Sequence, residues 1–253
     1  MKIGVIGLGL IGGSIFKDLI KLGYEVVGIS KSQTGINIYK DYSRLKDCEI
    51  VFVCSPMNKT LSILDELENY LPSNTIVTDV CSLKRFVSQK QRPYIFIPSH
   101  PMAGTEKQGF ENSFEGLFKN AKWVITPINN IDESLQKLSY IINQLGANIV
   151  ITTPQEHDEA VALISHMPMV VAQGIFKAAS ENKLALEIAS SGFRDMTRLA
   201  MSNTEMANDM VSMNADNIEK SILNLYKSIG DLTSDNYLNQ IKYIRENRQS
   251  MYI

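Results

Sequence analysis

Apolar residues along the chain follow two different rhythms, and the change falls near position 152. Before it, short runs of β-branched and apolar residues (KIGVI, EVVGI, EIVFVC, TIVTDV, YIFIPS, KWVIT and NIVIT) alternate with amphipathic stretches such as residues 59–70 and 132–145. Short continuous apolar runs suit strands buried on both faces, and seven of them interleaved with helices predict a doubly wound α/β sheet. Past Thr153 the strand rhythm stops. Thr153-Pro154-Gln155-Glu156 joins an N-cap threonine, a proline at the first helical position and a capping-box glutamate, so a helix starts there. The rest reads as helix, interrupted at Ser190-Ser191-Gly192, Ser202-Asn203 and Ser228-Ile229-Gly230. An α/β domain over residues 1–152 and an all-helical domain over 153–253 are therefore expected.

Composition narrows the class of partner. With 253 residues, 44% of them hydrophobic, the chain can bury a real core, and a net charge of −2 with no dense Lys/Arg run argues against nucleic acid or an anionic membrane surface. Small molecules or other subunits are the expected partners. The three cysteines, Cys48, Cys54 and Cys81, form no C-x-x-C pair and read as buried thiols of a reducing compartment. No secretory leader and no uninterrupted apolar run of about 20 residues is seen, so a cytoplasmic location is expected. Met196, Met201, Met206, Met210 and Met213 recur at roughly helical spacing and read as a flexible core or subunit-contact stripe rather than a cofactor box.

Candidate chemistry begins with GLGLIGGS. Gly7, Gly9 and Gly12 have the G-x-G-x-x-G spacing, and they sit between the strand KIGVI and a helix expected over residues 11–22, ending at Gly23. In that context Gly7 permits the tight bend, Gly9 admits a pyrophosphate and Gly12 allows helix to pack on strand, with Leu10 and Ile11 opening the helix over the anion. An NAD-binding chain places a carboxylate at the end of the second strand to hold the ribose, but here EVVGI ends in Ser30-Lys31-Ser32. A hydroxyl followed by an ammonium suits a 2′-phosphate, so NADP is the expected cofactor; NAD is the alternative if Lys31 is only a solvated loop residue.

Histidine is scarce. His100 follows the strand YIFIP, so it emerges at a strand end where open α/β sheets bind ligands, and an imidazole there suits general-base work on a hydroxyl. His157 and His166 lie nine residues apart in one expected helix, on opposite faces, and no cysteine has ligand spacing with them, so no metal site is expected. Pro168 should kink that helix beside His166, which leaves His166 open between a core residue and a site residue. Arg194 and Arg198, four apart in SSGFRDMTR, either clamp a dicarboxylate or form an exposed pair satisfied by Asp195 and neighbouring acids.

Taken in order, GLGLIGGS, the D-x-x-S-x-K segment at 79–84, HPMAGTE at 100–106, EHDEAVALISHMP at 156–168 and GFRDMTR at 192–198 resemble the prephenate and arogenate dehydrogenase family of tyrosine biosynthesis. The resemblance implies a Rossmann domain followed by a helical dimerisation domain, hence a homodimer, and NAD(P)-dependent oxidative decarboxylation of prephenate or arogenate. It implies that His100 takes the substrate hydroxyl proton, that Ser82 orients that hydroxyl and the nicotinamide, and that Arg198 grips a substrate carboxylate. Arg194, His166 and Glu106 would belong to the surrounding pocket, and Ser55 with Pro56 would lie against the cofactor. Two departures stand out: Met169 replaces the second histidine of SHLPH, and Ala207 stands where many relatives carry tryptophan, a pair of changes that shifts expectation towards arogenate. The chain leaves no room for an added regulatory domain after the helices, so tyrosine feedback would be expected to act at the active site itself. A β-hydroxyacid dehydrogenase is disfavoured because its K-x-x-x-N is absent: Lys177 is followed four residues on by Glu181. The remaining rival is a non-catalytic NADPH sensor, which needs the glycine turn but neither His100 nor Arg198.

Overall fold

The computed structural model describes residues 1–105, 107–129, 132–234 and 236–251. Its centre is a parallel sheet formed by β1 (Lys2–Ile6), β2 (Glu25–Ile29), β3 (Ile38–Tyr39), β4 (Ile50–Val53), β5 (Ile76–Asp79) and β6 (Ile95–Phe96), in the order β3-β2-β1-β4-β5-β6. Alternation along β4 shows how the sheet is buried on both faces. Ile50 and Phe52 join a core with Ile3, Val5 and Trp123, while Val51 and Val53 join the opposite core with Val27 and Leu64. Helix α1 (Leu10–Lys21) contributes Ile15 and Leu19 to the first core, and α2 (Met57–Leu67) contributes Leu64 and Leu67 to the second. The chain winds outward from β1 in one direction and returns to β4 on its other side. That reversal opens a crevice between the ends of β1 and β4.

The expected single sheet is in fact two. YIFIPS divides into β6 and β7 (Ser99–Pro101), and β7 pairs antiparallel with β8 (Lys122–Ile125), itself parallel to β9 (Asn148–Ile151). Pro98, at the switch, has no N–H for either ladder, so the chain leaves the large sheet after Ile97 donates to the Val77 carbonyl at 2.9 Å. His100 therefore lies inside β7, paired with Val124, rather than just beyond a strand of the main sheet. Helix α3 (Asp132–Gln144) covers this side, burying Leu138, Ile141 and Ile142.

Thr153 caps α4 (Pro154–Val161) with both reciprocal bonds of a capping box. A π-helical turn (Ala162–His166) and α5 (Met167–Ser180) continue it as one 27-residue helix. The Met167 N–H reaches back five residues to the Ala162 carbonyl, and Pro168 next to it has no N–H to give. The expected kink is thus taken up as one inserted residue. By length and composition alone this helix is apolar enough to cross a membrane, because polar breaks such as Ser165-His166 interrupt the apolar run without lowering its average far. Beyond it come α6 (Lys183–Glu187), α7 (Ser191–Thr197), a 3-10 turn (Arg198–Met201), α8 (Thr204–Met213), α9 (Ala215–Ser234) and α10 (Tyr237–Ser250). The expected break at 202–203 is present, while the one expected at 190–192 falls earlier, at 188–190, with Ser191 and Gly192 already opening α7. The one at 228–230 is not: α9 runs through Gly230, since a single glycine costs a helix only about 1 kcal/mol. The methionine stripe also divides, with Met210 buried while Met196, Met201, Met206 and Met213 are exposed, because three separate elements carry them.

Candidate active site

A cavity of about 450 Å³ opens at the crevice between β1 and β4, a size suited to a small-molecule ligand. Its first wall is the glycine turn. Gly7 has φ +84° and a Cβ there would lie 2.5 Å from the Cys54 carbonyl oxygen; a Cβ on Gly12 would fall 2.0 Å from the Gly7 oxygen. Neither position tolerates a side chain. Gly9, by contrast, has nothing within 4 Å of where its Cβ would be. It is the N-cap of α1 and supplies no side-chain cap, and the first turn carries no acid, so unpaired N–H groups around Leu10, Ile11 and Gly12 present the helix's positive end to open space. A dinucleotide pyrophosphate fits this cradle. Ser55 and Pro56, following β4, line the same cavity, and the Ser55 hydroxyl is held 2.9 Å from that of Thr60. Ser30 and Lys31 lie outside its walls. Ser30 is buried, with its hydroxyl accepting from the Gln33 N–H at 3.0 Å, while Lys31 is exposed at the turn after β2.

The opposite wall carries Ser82 and His100, both half-buried. His100 is the end of a chain of polar groups reaching into the helical domain. Its Nδ1 lies 3.0 Å from His157 Nε2, and His157 Nδ1 lies 2.8 Å from Asp158 Oδ1. Asp158 also accepts the Lys84 N–H at 2.8 Å and the Arg85 N–H at 3.0 Å, which fixes the loop bearing Ser82. Under this loop Lys84 is fully buried; its ammonium bonds Asp79 and the Ser99 carbonyl, the latter at 2.6 Å. Burial, followed by the neighbouring His157, the Lys84 ammonium and His166, pushes the His100 pKa well below the ordinary histidine value. His100 is accordingly a neutral imidazole at physiological pH.

His166 is a core residue. It is buried, with Nδ1 3.2 Å from Asn214 Nδ2, and desolvation lowers its pKa to about 4. Asn214 also donates to the Asp158 carbonyl at 2.9 Å, so the two histidines share one network instead of facing opposite ways. The π turn explains this: one inserted residue makes a nine-residue offset behave as eight, turning His166 round to the side of His157. Met169 is likewise buried, in an apolar seam with Met57, Cys81, Leu83, Val161, Ala207 and Met210 that joins the two halves of the chain. The two departures from the family pattern, Met169 and Ala207, thus pack in a single cluster.

Arg194 and Arg198 are exposed and lie outside the cavity walls, with Arg194 paired to Asp195 at 3.5 Å. The helix ends at Thr197, so Arg198 opens the 3-10 turn and the expected shared face is lost. Glu106 lies outside the described residues. Sequence reasoning missed four groups that α8 and its cap bring to the cavity: Asn203, Glu205, Met206 and Asp209. It also gave no role to Asp158, Asp79 or Lys84. The i, i+4 acids of α8 look like any solvated helix face until the two halves of the chain are docked.

Residues 28–151 match the family description "Prephenate dehydrogenase, nucleotide-binding domain", and residues 153–245 match "Prephenate dehydrogenase, dimerization domain". The crystal structure of Synechocystis arogenate dehydrogenase is similar with a TM-score of 0.87 and 33% identity, covering 100% of both chains. Prephenate dehydrogenase of Bacillus subtilis (strain 168) is 34% identical over 236 residues, which is 84% of this chain and 64% of that protein. The chain therefore spans less than two thirds of that relative. Aquifex aeolicus prephenate dehydrogenase in complex with hydroxyphenyl propionate and NAD+ shares the fold at a TM-score of 0.89 and 23% identity, over 99% of this chain and 98% of that one.

Proposed function

Because the chain belongs to the prephenate and arogenate dehydrogenase family, we propose that it is a nicotinamide-dependent dehydrogenase that oxidatively decarboxylates a cyclohexadienyl acid. The observation that carries this reading is the placement of neutral His100 and Ser82 across one cavity from the glycine cradle. A nicotinamide dinucleotide bound at that cradle supplies the hydride acceptor. Ser82 and His100 hold the ring hydroxyl, and His100 takes its proton as the carbon–hydrogen bond is broken. Loss of carbon dioxide then sends its electron pair into the ring, and His100 returns the proton to the phenolic oxygen. The aromatic product makes the step irreversible.

Arogenate is the proposed substrate. Met169 and Ala207 leave an apolar seam where a keto-acid side chain would need a donor, while Glu205 and Asp209 put carboxylates on the cavity wall to face an ammonium. NADP is the proposed cofactor, supported by Lys31 exposed at the turn after β2 and by the lack of a carboxylate in residues 30–36. Arg198 is assigned the substrate carboxylate on the family resemblance, and must be carried to the cavity by closure of the helices or by a second subunit. That subunit is a second copy of this chain, packed on exposed apolar residues of the helical part such as Phe176, Leu184, Ile188 and Leu223. The unpaired thiols support a reducing, cytoplasmic setting.

Initial rates with each pairing of prephenate or arogenate with NADP or NAD test this directly. The expected order puts arogenate with NADP first. Tight dinucleotide binding with no turnover of either acid would return the sensor reading.

A further inference from the structure

We propose that His157 and Asp158 are positioning residues that fix the tautomer of His100, leaving Nε2 as its unprotonated, proton-accepting nitrogen. The proposal deepens the dehydrogenase reading and rests on it for its kinetic consequence, though not for its geometry.

The deduction runs from the carboxylate outward, one hydrogen at a time. Asp158 accepts two backbone N–H groups, from Lys84 and from Arg85, and such donors can be met only by acceptors. Two such donors favour the carboxylate over the carboxyl form, and a carboxylate has no hydrogen to offer His157. The 2.8 Å contact between His157 Nδ1 and Asp158 Oδ1 must then carry its hydrogen on Nδ1. A neutral His157 has its lone pair on Nε2, and the partner 3.0 Å away is His100 Nδ1. That contact needs a hydrogen, so it lies on His100 Nδ1. His100, which lines the cavity, is left with a lone pair on Nε2.

The surroundings keep the chain in this state. The charged and titratable groups facing His100 are His157, the Lys84 ammonium with its partner Asp79, and His166, with Asp158 beyond His157. Buried His157 and the Lys84 ammonium both disfavour a second cation before substrate arrives. Once His100 has taken a proton at Nε2, its Nδ1–H and the His157 Nδ1–H point in series at the Asp158 charge, which stabilises the imidazolium without receiving the proton. The same carboxylate grips the 84–85 backbone and so registers the Ser82 loop against His100. Its position comes from α4, whose start is fixed by the Thr153 capping box. One acid from the helical part thus sets both catalytic groups of the α/β part.

The first test uses the unaltered full-length protein with no substrate, labelled with 15N-histidine, and reads two-bond 1H–15N correlations at pH 7 to 8. Expected is a protonated Nδ1 and a bare Nε2 on His100; a hydrogen on Nε2 overturns the proposal, whatever the enzyme turns over. The second compares Asp158→Asn with the parent. A reversed His100 tautomer and a kcat lower by about 100-fold, with dinucleotide Kd and substrate KM within about twofold, supports it. An unchanged tautomer and kcat in a folded Asp158→Asn protein overturns it. If the labelled parent shows the expected tautomer but no turnover of prephenate or arogenate, the dehydrogenase reading fails while the tautomer assignment stands.

Discussion

The two walls of the cavity are built by different means. The glycine cradle is backbone: within residues 7–12 it needs a missing Cβ at Gly7 and Gly12 and an open approach at Gly9. The His100 wall is side-chain chemistry, assembled from residues 79–85, 99–100, 157–158 and 214, with charges buried only because each has a partner from a distant segment. A cradle of this kind stays folded through any change that leaves the backbone path alone. A buried charge network tolerates almost none, since removing one partner strands another.

The largest effect should come from the network. His100→Asn is expected to lower kcat by about 1000-fold while dinucleotide affinity stays unchanged, which titration of bound cofactor alongside steady-state rates will show. A parallel loss of affinity would mean that the two walls are not independent.

Within the cradle, two alanines separate close packing from ligand approach. Gly12→Ala forces a Cβ onto a backbone oxygen and should cost about 3 kcal/mol of stability along with dinucleotide binding. Gly9→Ala meets nothing in the free protein, so its unfolding free energy should move by less than about 0.5 kcal/mol while dinucleotide Kd rises. Equal destabilisation by both in denaturant melts would refute the division of roles.

His166 tests the network from below. Its folded pKa, about 4, lies under the ordinary value of 6.5, so the unfolded chain takes up a proton first as the pH falls. The stability tied to neutral His166 is complete above pH 6.5 and drains away towards pH 4, by up to about 3 kcal/mol. His166→Gln should flatten the unfolding free energy across that window. An unchanged slope would assign the acid sensitivity to other groups.

The smallest effect belongs to the rim of the cradle. Lys31→Ala should raise KM for NADP about tenfold and leave KM for NAD unchanged, since an exposed ammonium contributes one charged contact in water.

Much of the fold was legible because its signals are local. Six of the seven apolar runs became single strands, since a run of four or five apolar residues too short for a helix leaves few alternatives, and the Thr153 capping box marks the start of α4 as expected. YIFIPS failed for want of a non-local fact: which sheet each half would join. Gly230 misled because one glycine costs a helix only about 1 kcal/mol, and the helical turns on either side of it carry the helix through.

The sequence by itself determined the glycine turn and the α/β-then-helical order, because turn geometry and short apolar runs are properties of a few consecutive residues. Tertiary structure decided the rest: that His157 meets His100, that the π turn brings His166 to the same network, that Met169 and Ala207 share a seam, and that α8 walls the cavity. These are contacts between segments distant in the chain or rotations set by a single inserted residue, and no periodicity along one segment encodes what will pack against its face.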